Sequence, residues 1–267
     1  MLKHRILTAL VLIPSVIWGI YRLSSEAFMF LTLLLTLIAA WEWGRLSGQK
    51  RLTTRIIYCG IVAFLAYSNL WHLPELFSLI TPIWWLFALG LLIFLNKRNT
   101  YQFHFPFLLS SLGIIILLTT WYQINVLRYY EPYPAILLFF LLLIWGADIG
   151  AYFVGRYIGQ HKLAPTISPN KTWEGVWGAI IVTLILALMF AIFLHLSIEK
   201  SFLLVILSEV TIIFSIVGDL FESVLKRNQQ VKDSGTIFPG HGGMLDRIDS
   251  LVAALPIFTL GYLLLIK

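Results

Sequence analysis

The sequence predicts an all-α fold, a polytopic integral membrane helical bundle of about nine transmembrane helices with a cytoplasmic N-terminus. Three observations predict it. Of 267 residues, 59% are hydrophobic and 12% charged, a balance beyond what a soluble core of this size needs. Apolar stretches close to bilayer-spanning length recur along the whole chain. The Lys and Arg residues gather in alternate connecting segments, which gives each span a direction. Length alone would suggest one or two soluble domains, but that prior lapses when nearly every long segment is itself a span. Residues 1–267 therefore read as one membrane domain, with N-terminal and middle spans in 1–130 and the spans and cytoplasmic loops that carry the chemistry in 131–267.

The first span, 6–23, follows Met1-Leu-Lys3-His-Arg5 and superficially resembles a signal peptide. No Ala-x-Ala-like site follows and further spans come at once, so it reads as an anchor. The second, 27–46, ends near Glu42, which Trp41 and Trp43 flank; a carboxylate so close to a span end is expected to snorkel to the interface. The third, 56–70, holds Cys59, the single cysteine, which excludes an intrachain disulfide and a thiolate metal site and leaves a small packing residue. Spans follow at 78–95 and 106–127. The sixth, 134–155, contains Asp148, and an acidic side chain at such a position is a functional hypothesis by default. Glycines 146, 150, 155 and 159 form two Gly-x-x-x-Gly spacings there, which favour close helix packing over a nucleotide fingerprint. The last spans are 174–195, 202–222 and 250–266, and Glu209 in the eighth is expected to pair within the bundle. Gly48, Pro74, residues 96–99, Glu131-Pro-Tyr-Pro134 and Ser168-Pro169 supply the turns between them. Trp and Tyr residues elsewhere read as interfacial belts.

With a cytoplasmic N-terminus, 15 of the 19 Lys and Arg residues fall on the cytoplasmic side. The exceptions are Arg22, Arg128, Lys200 and Lys267. Eight or ten spans would spoil this positive-inside division. A basic cytoplasmic face serves topology, attraction to anionic membrane lipids, or binding of a phosphorylated substrate. Nucleic acid is excluded as a partner, because the bases are spread over short loops rather than gathered into a domain.

The densest charge lies in Ser223–Asp249, where seven charged residues and a histidine occupy 27 positions. Burying unpaired ions in hydrocarbon is costly, so this run must meet solvent, substrate or both. Asp219, Glu222, Ser223 and Lys226 are spaced i, i+3, i+4 and i+7, one polar stripe on an apolar helix. Asp246 and Asp249 are three apart, with Arg247 between them. Carboxylates without competing soft ligands suit a hard cation such as Mg2+, and Asp219 with Asp246 fits that pattern. Interfacial salt bridges to Lys226, Arg227 and Arg247 would account for the same spacing. His241-Gly242-Gly243, after Pro239-Gly240, lets backbone approach a phosphate closely, although a tight turn with a solvent-facing His would look alike. Ser168, Asn170, Lys171 and Thr172 form a second polar cluster before the seventh span, either contacting phosphate or simply capping a helix.

Read as a whole, residues 223–249 resemble the signature of the phosphatidate cytidylyltransferase family, also called CDP-diacylglycerol synthases. Ser223, Lys226, Arg227, Lys232, Asp233, Gly235, Phe238, Pro239, His241, Gly242, Gly243, Asp246, Arg247 and Asp249 meet every fixed position of that pattern. The resemblance extends to Ala147–Gly159, Ser168–Gly175 and the Ala40-Trp-Glu-Trp43 stretch. It implies conversion of CTP and phosphatidate into CDP-diacylglycerol and pyrophosphate, with Mg2+ and a second cation such as K+. It further implies a homodimer in the inner (plasma) membrane, with a cavity open to both cytoplasm and membrane.

On that resemblance, Asp219 and Asp246 are expected to meet at the metal. Lys226, Arg227, Lys232 and Arg247 are expected to neutralise triphosphate or lipid phosphate, and His241 to hydrogen-bond the leaving group. Asp233 and Asp249 orient those bases or touch metal, while Asp148, Ser168, Asn170 and Lys171 complete the pocket wall beside Ser223, Gly242 and Gly243. Two alternatives differ in kind. A CDP-alcohol phosphotransferase would need an Asp-Gly-x2-Ala-Arg pattern that this chain lacks. A cation-coupled transporter would route ions past Asp148, Asp219 and Glu222 and would favour inverted repeats, which are not visible.

Overall fold

The computed structural model describes residues 13–68, 72–98, 105–129, 133–237 and 242–265. Helix α1 occupies 13–22 of the described residues. It is followed by α2 (Ser25–Leu46), α3 (Leu52–Tyr67), α4 (His72–Arg98), α5 (Pro106–Tyr129) and α6 (Ala135–Ile158). After the short strands β1 (Lys162–Ala164) and β2 (Ser168–Thr172) come α7 (Trp173–Phe193), α8 (Ile198–Asn228) and α9 (Leu245–Leu265). Over the described residues each expected span falls on one of these helices; 6–12 of the first span, 69–70 of the third and 266 of the ninth lie outside them. Seven of them are long and apolar enough to cross a membrane, so the chain is a multi-pass membrane protein, whereas α3 is shorter than a full crossing.

The largest departure from the expected boundaries is α8. Its apolar stretch was expected to end at 222, but the helix continues through Asn228. Residues 223–228 contain no Gly or Pro and include the good helix formers Leu225, Lys226 and Arg227. The first part of the charged run is therefore helical, with Lys226 and Arg227 in the last turn where cations complement the helix dipole.

The helices form two compact units. The first comprises Met1–Phe77, Gln102–Leu138 and Leu225–Ile248. Within it, α2 starts at Ser24, whose side chain accepts the Ala27 N–H, and packs against α3 and α5. The Trp43 indole donates to the Leu109 carbonyl at 2.8 Å, and the Trp121 indole to that of Met29 at 3.2 Å. Arg128, on α5, is 1% exposed. It donates to the carbonyls of Ile20 and Leu23 and stacks on Phe28, so it satisfies the turn between α1 and α2.

The second unit comprises Ser78–Tyr101, Phe139–Val224 and Asp249–Lys267. The expected close packing of the α6 glycines is present here. A Cβ at Gly150 would lie 2.5 Å from the Gly178 carbonyl oxygen, so α6 and α7 touch backbone to backbone. Thr183 on α7 donates to Glu209 on α8 at 3.2 Å, the expected pairing within the bundle. Strands β1 and β2 pair antiparallel with Lys162 opposite Thr172. Thr172 then caps α7 by accepting the Gly175 N–H at 3.2 Å.

Replacing Gly150 with Leu is expected to destabilise the protein by about 1–3 kcal/mol or more through overpacking. Thermal unfolding in detergent would read this as a lowered midpoint, and an unchanged midpoint would contradict the α6–α7 contact.

Candidate active site

In the first unit, the segment after α8 folds back on the start of α9 around Asp246. The Lys226 ammonium lies 2.7 Å from Asp246 Oδ1, with the two side chains only 12% and 8% exposed. The other carboxylate oxygen, Oδ2, accepts the Ser234 N–H at 2.8 Å, the Ser234 hydroxyl at 2.9 Å and the Gly243 N–H at 2.8 Å. An ion pair this dry holds only when the remaining lone pairs are also met, as they are here. Gly242 has φ +82, and a Cβ there would strike the Asp246 carboxylate, so this position needs glycine for both reasons.

A second carboxylate supports the first. Glu42 of α2 was expected to snorkel, yet it is 3% exposed. It accepts the N–H groups of Met244 at 3.0 Å and Leu245 at 2.8 Å, and the Ser234 hydroxyl at 2.9 Å. Glu42 thus occupies the N-terminus of α9, where free N–H groups and the helix dipole favour an anion. A Cβ at Gly235 or Gly243 would fall on this carboxylate. One turn along α2, the Arg45 guanidinium donates to the Asp233 carbonyl at 2.8 Å. The available signals for Glu42 were its acidic side chain inside an apolar span and its place in the Ala40-Trp-Glu-Trp43 stretch of the family resemblance; no spacing rule links it to a loop some 200 residues later.

In the second unit, Lys171 of β2 pairs with Asp219 of α8 at 2.6 Å, with side chains 25% and 29% exposed. The Ser223 hydroxyl reaches Asp219 Oδ1 at 3.4 Å. Glu174, in the first turn of α7, accepts from the His161 backbone N–H at 3.2 Å and contacts the His161 ring at 2.7 Å, which secures the hairpin carrying Lys171. A Cβ at Gly218 would meet the Asp249 carbonyl, so α8 and α9 approach closely beside Asp219. The Asp249 side chain accepts the Ser250 N–H at 2.7 Å.

The expected residues therefore divide. Lys226, Arg227, Lys232, Asp233, Gly242, Gly243, Asp246 and Arg247 belong to the first unit, and Asp148, Ser168, Asn170, Lys171, Asp219, Ser223 and Asp249 to the second. Arg227, Lys232, Asp233 and Arg247 are exposed, as are Asp148 and Asn170, while Ser168 is half-buried. His241 lies outside the described residues. Among the described residues, no three His, Cys, Asp or Glu side chains cluster as a metal site.

Comparison with known proteins agrees with the signature over the whole length. Residues 3–265 match the Cytidylyltransferase family. A Pseudomonas aeruginosa protein named phosphatidate cytidylyltransferase is 38% identical across 97% of this chain and 96% of its own length. A Haemophilus influenzae protein of the same name is 36% identical across 98% of this chain and 99% of its own. A Bacillus subtilis protein, also so named, is 42% identical over 60% of this chain and 59% of its own.

Lys226→Ala is expected to cost about 3–5 kcal/mol, because it strands the Asp246 charge in a dry setting. The double variant Lys226→Ala/Asp246→Asn should recover part of that loss. Unfolding in detergent measures both, and a double variant no more stable than the single would contradict a buried ion pair.

Proposed function

The chain belongs to the cytidylyltransferase family, and from that premise we infer that it transfers the cytidylyl group of CTP to phosphatidate, giving CDP-diacylglycerol and pyrophosphate. The observation that carries this reading is the intact Ser223–Asp249 signature, organised around Asp246, in a chain matched from end to end by relatives named for that activity. The enzyme belongs in the inner membrane with its site toward the cytoplasm. CTP is soluble and phosphatidate is held at the headgroup level, so only an interfacial site serves both. A homodimer is part of the same proposal.

The chemistry asks little of a general base. A phosphate monoester has a second pKa of about 6, so phosphatidate is largely dianionic at neutral pH. One of its oxygens attacks the α-phosphorus of CTP, the new P–O bond forms, and the α–β bridging bond breaks to release pyrophosphate. Alignment and charge stabilisation then carry the catalysis. Lys226, Arg227, Lys232 and Arg247 neutralise the phosphates, and Lys171 does so from the hairpin that also carries Ser168 and Asn170, with Asp148 of α6 proposed for the pocket wall. Gly242 and Gly243 act through the shape of the loop. His241 is proposed as a donor to the leaving pyrophosphate.

Asp219 and Asp246 are the carboxylates proposed as Mg2+ ligands, with a second cation such as K+. Both are hard oxygen donors that now face an ammonium group, on Oδ2 of Asp219 and Oδ1 of Asp246, so a hard cation would bind there by taking the place of Lys171 or Lys226. Bound Mg2+ supplies Lewis-acid stabilisation of the charge on the reacting phosphates.

Purified protein with CTP, phosphatidate and Mg2+ is expected to release pyrophosphate and form CDP-lipid, and to stop when the divalent metal is chelated. Asp246→Asn and Asp219→Asn should each lower kcat by about 100-fold or more, the scale of losing one charge-stabilising group. No product from the wild type would refute the activity; full activity in Asp246→Asn would remove only its metal role.

A further inference from the structure

We propose that Glu42 is a positioning residue for this reaction: its buried carboxylate ties Ser234 to the Met244–Leu245 start of α9 in the arrangement that aims Asp246. The inference rests on the cytidylyl-transfer reading above. Glu42 is on α2, far in sequence from the charged run, and its relevance comes from what it touches. Its oxygens take the Met244 and Leu245 N–H groups and the Ser234 hydroxyl. The same Ser234 hydroxyl oxygen lies 2.9 Å from Asp246 Oδ2 and accepts the Asp246 N–H at 3.2 Å. Ser234 has one hydroxyl proton to share between the two carboxylates. Any displacement of Glu42 is therefore passed through Ser234 to Asp246.

Space confirms what the hydrogen bonds indicate. The Gly235 and Gly243 positions leave room for the Glu42 carboxylate, which a Cβ at either would displace. Arg45, three residues on, grips the same segment at the Asp233 carbonyl. The last turns of α2 thus contact residues 233–235 and 243–245 at five points: one carbonyl, one hydroxyl, two N–H groups and the glycine-walled gap. Among the described residues, the hydrogen bonds of Glu42 go to Ser234, Met244 and Leu245, so its effect on the reaction runs through Asp246.

The chemistry of the side chain predicts which replacements fail. Glutamine keeps the size but has one acceptor oxygen, so its NH2 group would face donors that now meet a carboxylate oxygen. Aspartate keeps the charge but is one methylene shorter and withdraws from all three donors. Both variants should lose the arrangement without creating a large cavity.

The test compares the wild type with Glu42→Gln, Glu42→Asp, Ser234→Ala and the Glu42→Gln/Ser234→Ala double variant. Activity is measured per folded molecule after size exclusion in detergent, with Thr183→Ala as a distant control. Glu42→Gln and Glu42→Asp are expected to lower kcat by about 100-fold with KM for CTP changed less than about 3-fold. Ser234→Ala should lower kcat by about 10-fold, and the double variant should be no worse than Glu42→Gln alone, because the two act as one unit. Trypsin should cut at exposed Lys232 faster in Glu42→Gln than in the wild type. If Glu42→Gln fails to fold, Ser234→Ala and Gly243→Ala, which pushes a methyl against Glu42, carry the same kinetic expectation. Wild-type kcat in Glu42→Gln, or losses that multiply in the double variant, would overturn the proposal. If the wild type makes no CDP-lipid, the activity reading fails by itself. The trypsin comparison then still decides the positioning role, equal cleavage rates refuting it.

Discussion

A carboxylate removed from water must be met by donors or it does not stay charged and buried. Glu42 obeys that constraint with two N–H groups from the start of α9 and the hydroxyl of Ser234. The consequences spread outward from there. Met244 and Leu245 must present their N–H groups together, which means a helix starts at that point. Ser234 must stand close enough to share its hydroxyl, which fixes the turn containing Lys232 and Asp233. Gly235 and Gly243 must lack side chains. Asp246, one residue into the helix beyond Leu245, is then delivered to Lys226.

The two lysine–aspartate pairs illustrate different uses of the same chemistry. Lys226 and Asp246 are nearly excluded from solvent, and three additional donors complete the aspartate. Such a pair yields a partner only to another ion of the same sign, because either ion left alone would face a desolvation cost. Lys171 and Asp219 keep about a quarter of their surface open, with one long contact from Ser223. Exchange there costs less, since water screens the intermediate arrangement. A phosphate that competes for Lys171, or a cation that competes for Asp219, meets a weaker hold. The hairpin supports this arrangement by an ordinary device, the Thr172 cap together with the Glu174 contact to His161.

Much of the fold was legible because hydropathy in a membrane protein is nearly a direct image of the backbone: a spanning segment has to satisfy its own hydrogen bonds as a helix. Over the described residues each expected span accordingly lands on a helix, and the Gly-x-x-x-Gly spacings of α6 land on a backbone contact. The end of α8 was less visible, since hydropathy stops where charge begins while helix propensity does not. In the site, Lys226, Asp246, Lys171 and Asp219 were named from charge and spacing, and the structure pairs them as lysine with aspartate. Salt bridging of these aspartates to Lys226 was one of the two readings the spacing allowed, whereas the partner of Asp219, Lys171, was not foreseen. Lys226 meets Asp246 across a 20-residue interval, and Lys171 meets Asp219 across 48, distances over which local periodicity carries no information. Glu42 was the extreme case, where Trp neighbours and a position near a span end suggested snorkelling and only tertiary contact showed burial.

The glycines of the signature bring the two levels together. From sequence, a Gly-rich turn beside a histidine looks like a cradle whose N–H groups wait for phosphate. In the folded chain the Gly243 N–H donates to Asp246, and those of Met244 and Leu245 donate to Glu42. An N-terminus whose donors are satisfied by the protein's own carboxylates has little left for a phosphate anion, which those carboxylates would also repel. The glycines make room for acids rather than for substrate. On the proposed reaction, positive charge for the nucleotide would then come from side chains, and Arg227, Lys232 and Arg247 of the same unit are exposed. Backbone and buried acids thus hold a shape, and the proposed contacts to phosphate fall to the basic side chains around it.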